Sequence, residues 1–220
     1  MAERLYLFDT TLRDGQQTSG VDFSLADKIR IANALDNLGL DYIEGGYPGA
    51  NPTDSQFFAE DRKLASAVMT AFGMTKRAGR SADNDPGFME VLNAQAGAVC
   101  LVAKSWDYHV DVALGISNDE NLASIRDSVA AVGKHGREAM IDCEHFFDGY
   151  KANRDYALAC ATAALEAGAR WVVLCDTNGG TLPDEVFEIV SDVAQHIPGG
   201  HLGIHAVSYT HLRAHETIAD

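Results

Sequence analysis

The sequence predicts an α/β protein of the (β/α)8 TIM-barrel type, incomplete, with about seven strands present. Short apolar runs alternate with helical patterns, one unit following the next every roughly 26 to 40 residues, as expected for parallel strands joined by helical crossovers. A doubly wound sheet is the competing architecture, but no GxGxxG loop follows the first apolar run. Polar side chains follow nearly every run instead, which favours a barrel, where chemistry gathers at the carboxyl ends of the strands.

The first half of the chain contains four predicted strands. They cover residues 5–8, 42–44, 67–72 and 98–103, with helical patterns at 24–38, 54–64 and 87–95. The first helix begins at Ser24, which has capping-box spacing to Asp27, with Asp in place of the usual Glu. Gly39 ends this helix.

The second half continues the alternation with strands at 138–142, 171–174 and 201–204. Helical patterns cover 118–134 and 154–167, and Thr181, Pro183 and Asp184 open another helix that ends before Pro198. Eight βα units need about 250 residues. We therefore expect a partial TIM-barrel catalytic domain over residues 1–206.

Residues 207–220 follow neither a helical nor a strand period. This segment resembles a peptide translated from sequencing-adapter DNA, so we expect a non-native tail. The alternative is a natural helix in which His211 and His215, spaced i, i+4, bind zinc.

The composition argues against several kinds of partner. A net charge of −15 disfavours binding to nucleic acid or to an anionic membrane surface. No apolar run reaches the roughly 20 residues that span a bilayer, and the start Met-Ala-Glu-Arg has no signal-peptide pattern. The four cysteines lack CxxC spacing. We expect a cytoplasmic protein with reduced thiols that acts on small molecules.

The most informative stretch is Asp9-Thr10-Thr11-Leu12-Arg13-Asp14-Gly15, which directly follows the first predicted strand. An aspartate there offers hard oxygen ligands to a divalent metal. An arginine offers a planar fork of donors to a developing oxyanion. The alternative is an ion pair that closes the strand end without chemistry.

Other polar side chains lie at the ends of other predicted strands or directly after them. They are Glu44, the segment Asp142-Cys143-Glu144-His145, the pair Asp176-Thr177, and His205. In a barrel these positions converge on one mouth. Carboxylates buried together repel each other unless a cation offsets their charge. The set therefore predicts a divalent metal site.

These motifs resemble the acyl-CoA-condensing, aldolase-like barrels that include the isopropylmalate, homocitrate and citramalate synthases, with hydroxymethylglutaryl-CoA lyase as a relative. The resemblance covers residues 4–206 and begins at Asp9–Gly15, with Gln16 and Gln17 behind. The segments 144–153 and 174–181 look most like the citramalate branch.

The resemblance implies a role for each matching residue. Asp14 and His205 match metal ligands. Arg13 matches a catalytic arginine that stabilises the enolate or keto oxygen, and Glu144 matches a glutamate beside the reacting acetyl group. The matched substrate-binding positions are Arg13, Gln17, Glu44 and Thr177. From the residues alone, structural alternatives stay open: Thr177 as a helix or loop cap, Glu44 as a supporting carboxylate without direct contact to substrate or metal, and His205 as a core histidine.

The chain departs from the family pattern at position 207, where Val207 stands in place of the second histidine of a His-x-His metal pair. A further asparagine ligand and a catalytic histidine lie downstream in the family. We therefore expect the 220-residue chain to have little or no activity although its parent is an enzyme. A non-catalytic fragment is the alternative of another class.

The implied reaction is a Claisen-type condensation of acetyl-CoA with pyruvate, which gives citramalate, a precursor on a route to isoleucine. Mg²⁺, Mn²⁺ and Zn²⁺ all suit the mixed ligands. The alternatives are another 2-oxo acid, as in a 2-isopropylmalate or homocitrate synthase, and a lyase or carboxyltransferase on the same barrel. Lys76, Arg77 and Arg80 either meet coenzyme phosphates or form a solvated loop. The resemblance implies a homodimeric parent.

Overall fold

The computed structural model describes residues 4–199 and 201–206. Seven strands form one parallel sheet whose order follows the sequence. Every pair of neighbours is separated along the chain by at least one helix, which is what parallel pairing requires. The strands are β1 (Phe8–Asp9), β2 (Tyr42–Gly46), β3 (Val68–Met74), β4 (Ala98–Lys104), β5 (Glu138–Glu144), β6 (Trp171–Asp176) and β7 (Leu202–Ala206).

Eight helices connect the strands in this part of the chain. They are α1 (Leu25–Asn37), α2 (Pro52–Phe57), α3 (Pro86–Asn93), α4 (Asp107–His109), α5 (Asn118–Lys134), α6 (Phe146–Ala152), α7 (Arg154–Glu166) and α8 (Pro183–His196). The predicted capping box begins α1, since Asp27 N donates to Ser24 Oγ and Ser24 N donates to Asp27 Oδ2. None of the described helices combines the length and apolar character that a membrane crossing demands.

The sheet curls into the wall of a partial barrel. The Tyr42 hydroxyl on β2 donates to Glu138 on β5 at 2.8 Å and accepts from Trp171 Nε1 on β6 at 3.2 Å. Because β2 and β6 lie four positions apart in the sheet, this contact requires the sheet to bend round on itself. The predicted incomplete (β/α)8-type barrel with seven strands is confirmed.

Side-chain alternation along the strands divides the core in two. One face of the sheet packs against the helices and supplies fully buried side chains such as Ile43, Leu101 and Leu174. The opposite face lines the barrel interior, where a smaller cluster contains Tyr42, Ala98, Cys100 and Met140. Towards the carboxyl ends of the strands the interior positions become polar, and this is where the candidate site lies.

Two predicted element bounds in the first half are wrong. β1 is a two-residue strand rather than 5–8, because Leu7 O accepts from the N–H groups of both Asp41 and Tyr42 before the regular pairing begins. α2 ends at Phe57 rather than near residue 64. The Asp36 carboxylate accepts hydrogen bonds from the backbone N–H groups of residues 65–67 and holds that segment out of a helix.

Two features of the second half also differ from prediction. α6 was not predicted because Gly149 lies inside it. That glycine is needed because a Cβ there would lie 2.5 Å from the Ser105 carbonyl oxygen. Thr181 does not cap α8. Its N–H and hydroxyl bind the Asp176 carboxylate, and Glu185 Oε2 accepts from Leu182 N at the helix start.

The predicted tail at 207–220, with Val207, His211 and His215, lies outside the described residues. The four cysteines all fall within the described residues, where each is a buried free thiol.

Candidate active site

The loop after β1 is folded around a single carbonyl group. The backbone N–H groups of Arg13, Asp14 and Gly15 all donate to Thr10 O, at 3.1, 2.8 and 3.1 Å. The Leu12 side chain is fully buried beneath the loop. This tight turn brings the Arg13 and Asp14 side chains to the carboxyl end of the sheet, as the sequence predicts.

Arg13 is held between two carboxylates and an aromatic ring. Its Nε donates to Glu44 Oε2 at 2.6 Å, its Nη1 donates to Asp14 Oδ1 at 3.1 Å, and its Cζ lies 4.2 Å from the centre of the Phe72 ring. Burial alone would lower the pKa of Arg13, but the negative charges of Glu44 and Asp14 raise it. The guanidinium is therefore charged and fixed in one orientation.

Glu44 is fully buried in the middle of β2. One of its oxygens, Oε1, has no hydrogen-bond partner among the described residues. Burial raises the pKa of Glu44 to about 7, although the charge of Arg13 works in the opposite direction. A buried carboxyl oxygen without a donor is costly, so the site favours a further donor or a cation here.

β7 brings His205 to the same mouth. Its Nε2 lies 3.8 Å from Asp14 Oδ2, and its Nδ1 lies 3.9 Å from Asp142 Oδ2. Both distances exceed those of hydrogen bonds, but they place one carboxylate at each ring nitrogen. The facing Asp142 carboxylate is the main cause that raises the pKa of His205, while burial opposes it.

A second group of possible ligands includes the same histidine. Donor atoms of Asp142, Cys175 and His205 all lie within 4.8 Å of one another, because Cys175 and His205 are register partners on β6 and β7. Burial raises the pKa of the Cys175 thiol well above its usual value. A sulfur that keeps its proton is a poor ligand, so the carboxylates are the stronger donors.

The donor set fits a divalent cation. Carboxylate oxygens and an imidazole nitrogen are ligands that Mg²⁺, Mn²⁺ and Zn²⁺ accept. Three carboxylates, those of Asp14, Glu44 and Asp142, surround the single guanidinium of Arg13, which leaves an excess of negative charge. The sequence named Asp14 and His205 as ligands. It placed Asp142 in the same set of carboxylates but did not assign it as a ligand; Asp142 stands two residues before Glu144 on the inward face of β5.

Glu144 faces Lys104 across β4 and β5, where the two residues are register partners. Lys104 Nζ forms an ion pair with Glu144 Oε2. Both side chains line a cavity of about 430 Å³, together with Lys76 and Arg77. Lys104 was missed from the sequence because the fourth strand was predicted to end one residue earlier. The period-2 alternation from Cys100 and Val102 was the signal that could have identified it.

Thr177 follows β6 and contacts the loop after β5. Its Oγ1 accepts a hydrogen bond from the backbone N–H of His145 at 2.9 Å. His145 has the left-handed backbone conformation φ 54°, ψ 35°, which turns that N–H towards the threonine. Because the hydroxyl already accepts one bond, its own proton remains available to another acceptor. The bond to His145, directly before α6, agrees with the predicted alternative of a loop cap.

The Gln17 side chain lies apart from these contacts. Gln17 ends the 3₁₀ turn Gly15–Gln17 and is exposed. Its backbone N–H donates to Asp14 O at 2.9 Å, but within residues 4–199 and 201–206 no hydrogen bond or ion pair joins the Gln17 side chain to another predicted site residue. Its neighbour Gln16 has a buried side-chain oxygen, Oε1, without a partner in the same part of the chain.

Known proteins are similar to this chain in sequence and in fold. The HMGL-like family model matches residues 4–211. An (R)-citramalate synthase of Aquifex aeolicus is 50% identical over 208 residues, which cover 94% of this chain and 39% of that protein. A 2-isopropylmalate synthase of Pelotomaculum thermopropionicum is 32% identical over 200 residues, covering 90% of this chain and 38% of that protein. The chain spans about two fifths of the length of these curated relatives.

Among solved structures, an HMG-CoA lyase from Bacillus subtilis matches with a TM-score of 0.76. The match covers 99% of this chain and 73% of that chain at 18% sequence identity. At that identity the likeness establishes the barrel fold and leaves the chemistry to the site residues.

Proposed function

The chain belongs to the HMGL-like family, and from that premise we propose that its full-length parent condenses acetyl-CoA with pyruvate to form (R)-citramalate. The observation that carries the proposal is the convergence of Arg13, Asp14, Glu44 and His205 on one mouth. The higher identity to an (R)-citramalate synthase than to a 2-isopropylmalate synthase supports the choice of product.

The proposed reaction forms one carbon–carbon bond and then breaks one thioester. The methyl carbon of acetyl-CoA loses a proton and attacks the ketone carbon of pyruvate. Water then cleaves the thioester, which releases coenzyme A and leaves the second carboxylate of the product. The site must therefore bind a 2-oxo acid, bind an acyl-CoA, accept a proton and stabilise an oxyanion.

The part of the site that binds the 2-oxo acid consists of the loop after β1 and the ends of β6 and β7. Asp14 and His205 would hold a divalent metal, which when bound supplies Lewis-acid polarisation and a template for the 2-oxo acid. Arg13 Nη2 has no hydrogen-bond partner among the described residues, so it is free to donate to an oxygen on which negative charge develops. The Thr177 hydroxyl donates its remaining proton to the carboxylate.

The part of the site that binds acyl-CoA is the cavity of about 430 Å³. Arg77 lines it and supplies positive charge for coenzyme phosphates, whereas Lys76 Nζ already binds Arg80 O and the Asp127 carboxylate. Glu144 lies at the inner end of the cavity with one carboxylate oxygen held by Lys104. The other oxygen positions the acetyl group or accepts its methyl proton.

Two alternatives remain within the same architecture. A longer 2-oxo acid would make the parent a 2-isopropylmalate or homocitrate synthase, and discrimination by one methylene is worth only about 1–3 kcal/mol. The names of the relatives support a synthase over a non-catalytic fragment. We also predict that the 220-residue chain alone turns over little substrate, because Val207 stands at the matched position of the second metal histidine.

The test is coenzyme A release by the full-length protein with pyruvate, 2-oxoisovalerate and 2-oxoglutarate as acceptors. We expect kcat/KM for pyruvate to exceed the others by about tenfold or more. Arg13→Gln should lower kcat by about 10²–10³-fold. Arg154→Gln, which removes an arginine from a surface ion pair with Asp192, is the matched control and should leave kcat unchanged. Preference for another acceptor would replace the proposed product.

We also propose that the parent is a cytoplasmic homodimer that acts on small molecules, as the family resemblance implies. Light scattering of the purified full-length protein tests the oligomeric state. A monomer at assay concentrations would contradict this part of the proposal.

A further inference from the structure

A fully buried lysine lies directly behind the candidate site. Lys28 projects from α1, and its side chain has no solvent exposure. Its Nζ donates to Leu12 O at 2.9 Å, to Gly45 O at 3.0 Å and to the Asp54 carboxylate. Three acceptors match the three protons of an ammonium group, so its hydrogen bonds are fully satisfied.

The two carbonyls bound by Lys28 flank the central ion pair of the site. Leu12 immediately precedes Arg13, and Gly45 immediately follows Glu44. The Arg13–Glu44 hydrogen bond is 2.6 Å long. One ammonium group therefore ties the loop after β1 to the end of β2, one residue away from each partner.

The counter-ion of this lysine is fixed just as firmly. Asp54 Oδ2 accepts from Tyr47 N at 2.8 Å, and Asp54 N donates to Asn51 Oδ1 at 2.8 Å. The Asp54 carboxylate occupies the space that a side chain on Gly46 would need, since a Cβ there would lie 2.6 Å from it. Gly46 also has φ 141°, a conformation that side chains rarely adopt.

Stability alone is a poor explanation for a charge at this depth. Replacing a buried ion pair with apolar side chains of similar volume is often neutral or stabilising. The ion pair instead fixes geometry, because an ammonium group with three fixed acceptors holds the loop after β1 at a set distance from the end of β2. We infer that Lys28 is a positioning residue that sets the Arg13–Glu44 contact. The use of that contact in catalysis rests on the proposed function, whereas the contact itself does not.

The test follows hydrogen exchange of the Arg13 Nε–H group by NMR in the 220-residue chain. Lys28→Met keeps the length of the side chain but removes all three donors. We expect the exchange to become at least about tenfold faster, because the loop after β1 opens locally without global unfolding.

Asp36→Asn provides a matched control on the same helix. Asp36 is also a buried charged residue of α1, but it binds the backbone of residues 65–67 and does not contact Arg13. Its replacement lowers the stability of the chain and should change Arg13 Nε–H exchange by less than about twofold. If Lys28→Met does not fold, Asp54→Asn takes its place with the same expectation.

Equal acceleration in the Lys28 and Asp36 variants would reduce Lys28 to a general stabilising residue and overturn the inference. Unchanged exchange in Lys28→Met would overturn it as well. The measurement needs no turnover. A parent that fails to condense acetyl-CoA with pyruvate would therefore refute the proposed function and leave the role of Lys28 intact.

Discussion

Replacing Arg13 with leucine should destabilise the fold by an amount that depends on pH. The substitution removes the cation that lies 2.6 Å from Glu44, and Glu44 stays fully buried. Removal of one partner of a buried ion pair costs about 3–5 kcal/mol. This cost is reached only when Glu44 is ionised, because a protonated carboxyl needs no counter-ion.

The sign of the pH dependence follows from the pKa of Glu44. Burial raises that pKa from 4.5 to about 7 in the folded protein. Protonation of Glu44 therefore stabilises the fold fully below about pH 4.5, and this stabilisation is lost as pH rises through 7. Loss of Arg13 raises the folded pKa further. Above pH 7 the variant should therefore lose stability relative to wild type by about 1.4 kcal/mol per pH unit, until its own pKa is reached.

Urea denaturation at pH 6 and pH 9, followed by tryptophan fluorescence in the presence of a chelator, measures both free energies of unfolding. We expect a clearly larger difference between wild type and Arg13→Leu at pH 9. The double variant Arg13→Leu/Glu44→Gln removes the unpaired charge and should lose this pH dependence. A loss below about 1 kcal/mol at both pH values would refute the argument that Arg13 compensates a buried charge.

Three further predictions test other parts of the structure. Asp36→Asn should destabilise the chain at neutral pH, because backbone hydrogen bonds to the ionised carboxylate lower the pKa of Asp36 to about 2. The difference in free energy of unfolding from wild type should vanish as pH falls from about 4 towards 2. Urea titrations that show the same difference at all pH values would contradict this. Gly46→Ala should lower the free energy of unfolding by about 2–4 kcal/mol, since backbone strain at φ 141° adds to a clash with the Asp54 carboxylate. Gly79→Ala, at φ 71° with open space around it, should lower it by only about 1 kcal/mol. Equal losses in thermal denaturation would exclude the clash. Asp14→Asn should weaken Mn²⁺ binding at least about tenfold by electron paramagnetic resonance, and Asp148→Asn should not; unchanged affinity in the first variant would remove Asp14 from the metal site.

The convergence of the main site side chains could be predicted because a parallel barrel places the carboxyl ends of all its strands on one rim. Arg13 and Asp14 come from the loop after β1, Glu44 from β2 and His205 from β7, yet each lies at or after a recognisable apolar run. Knowledge of the strands was therefore enough to bring them together, and the structure places them in contact or within 3.9 Å of a site partner.

Residues that depend on register or on depth could not be predicted from strand ends. Lys104 reaches the mouth only because β4 continues to it, one residue beyond the predicted strand end, and apolar runs do not reveal such extensions. Lys28 did leave a signal in the sequence. It lies three residues after Leu25 and four before Ala32, within the apolar face of α1. A charged residue in that face indicates a buried ion pair.

The left-handed residue before α6 is a third case. His145 adopts φ 54° without being a glycine, so no residue type marked the turn that brings its N–H to Thr177. Backbone strain of this kind is retained where the surrounding structure enforces it, and the sequence carries no local pattern for it.

The most direct test of the central claim is to identify the product that the full-length protein makes from pyruvate and acetyl-CoA labelled with ¹³C in the methyl group. The proposed condensation predicts a five-carbon dicarboxylic acid with the label in a methylene group bonded to the former ketone carbon, and one coenzyme A released per product. Labelled acetate in its place would mean that the thioester is cleaved without carbon–carbon bond formation, and would contradict the proposed function.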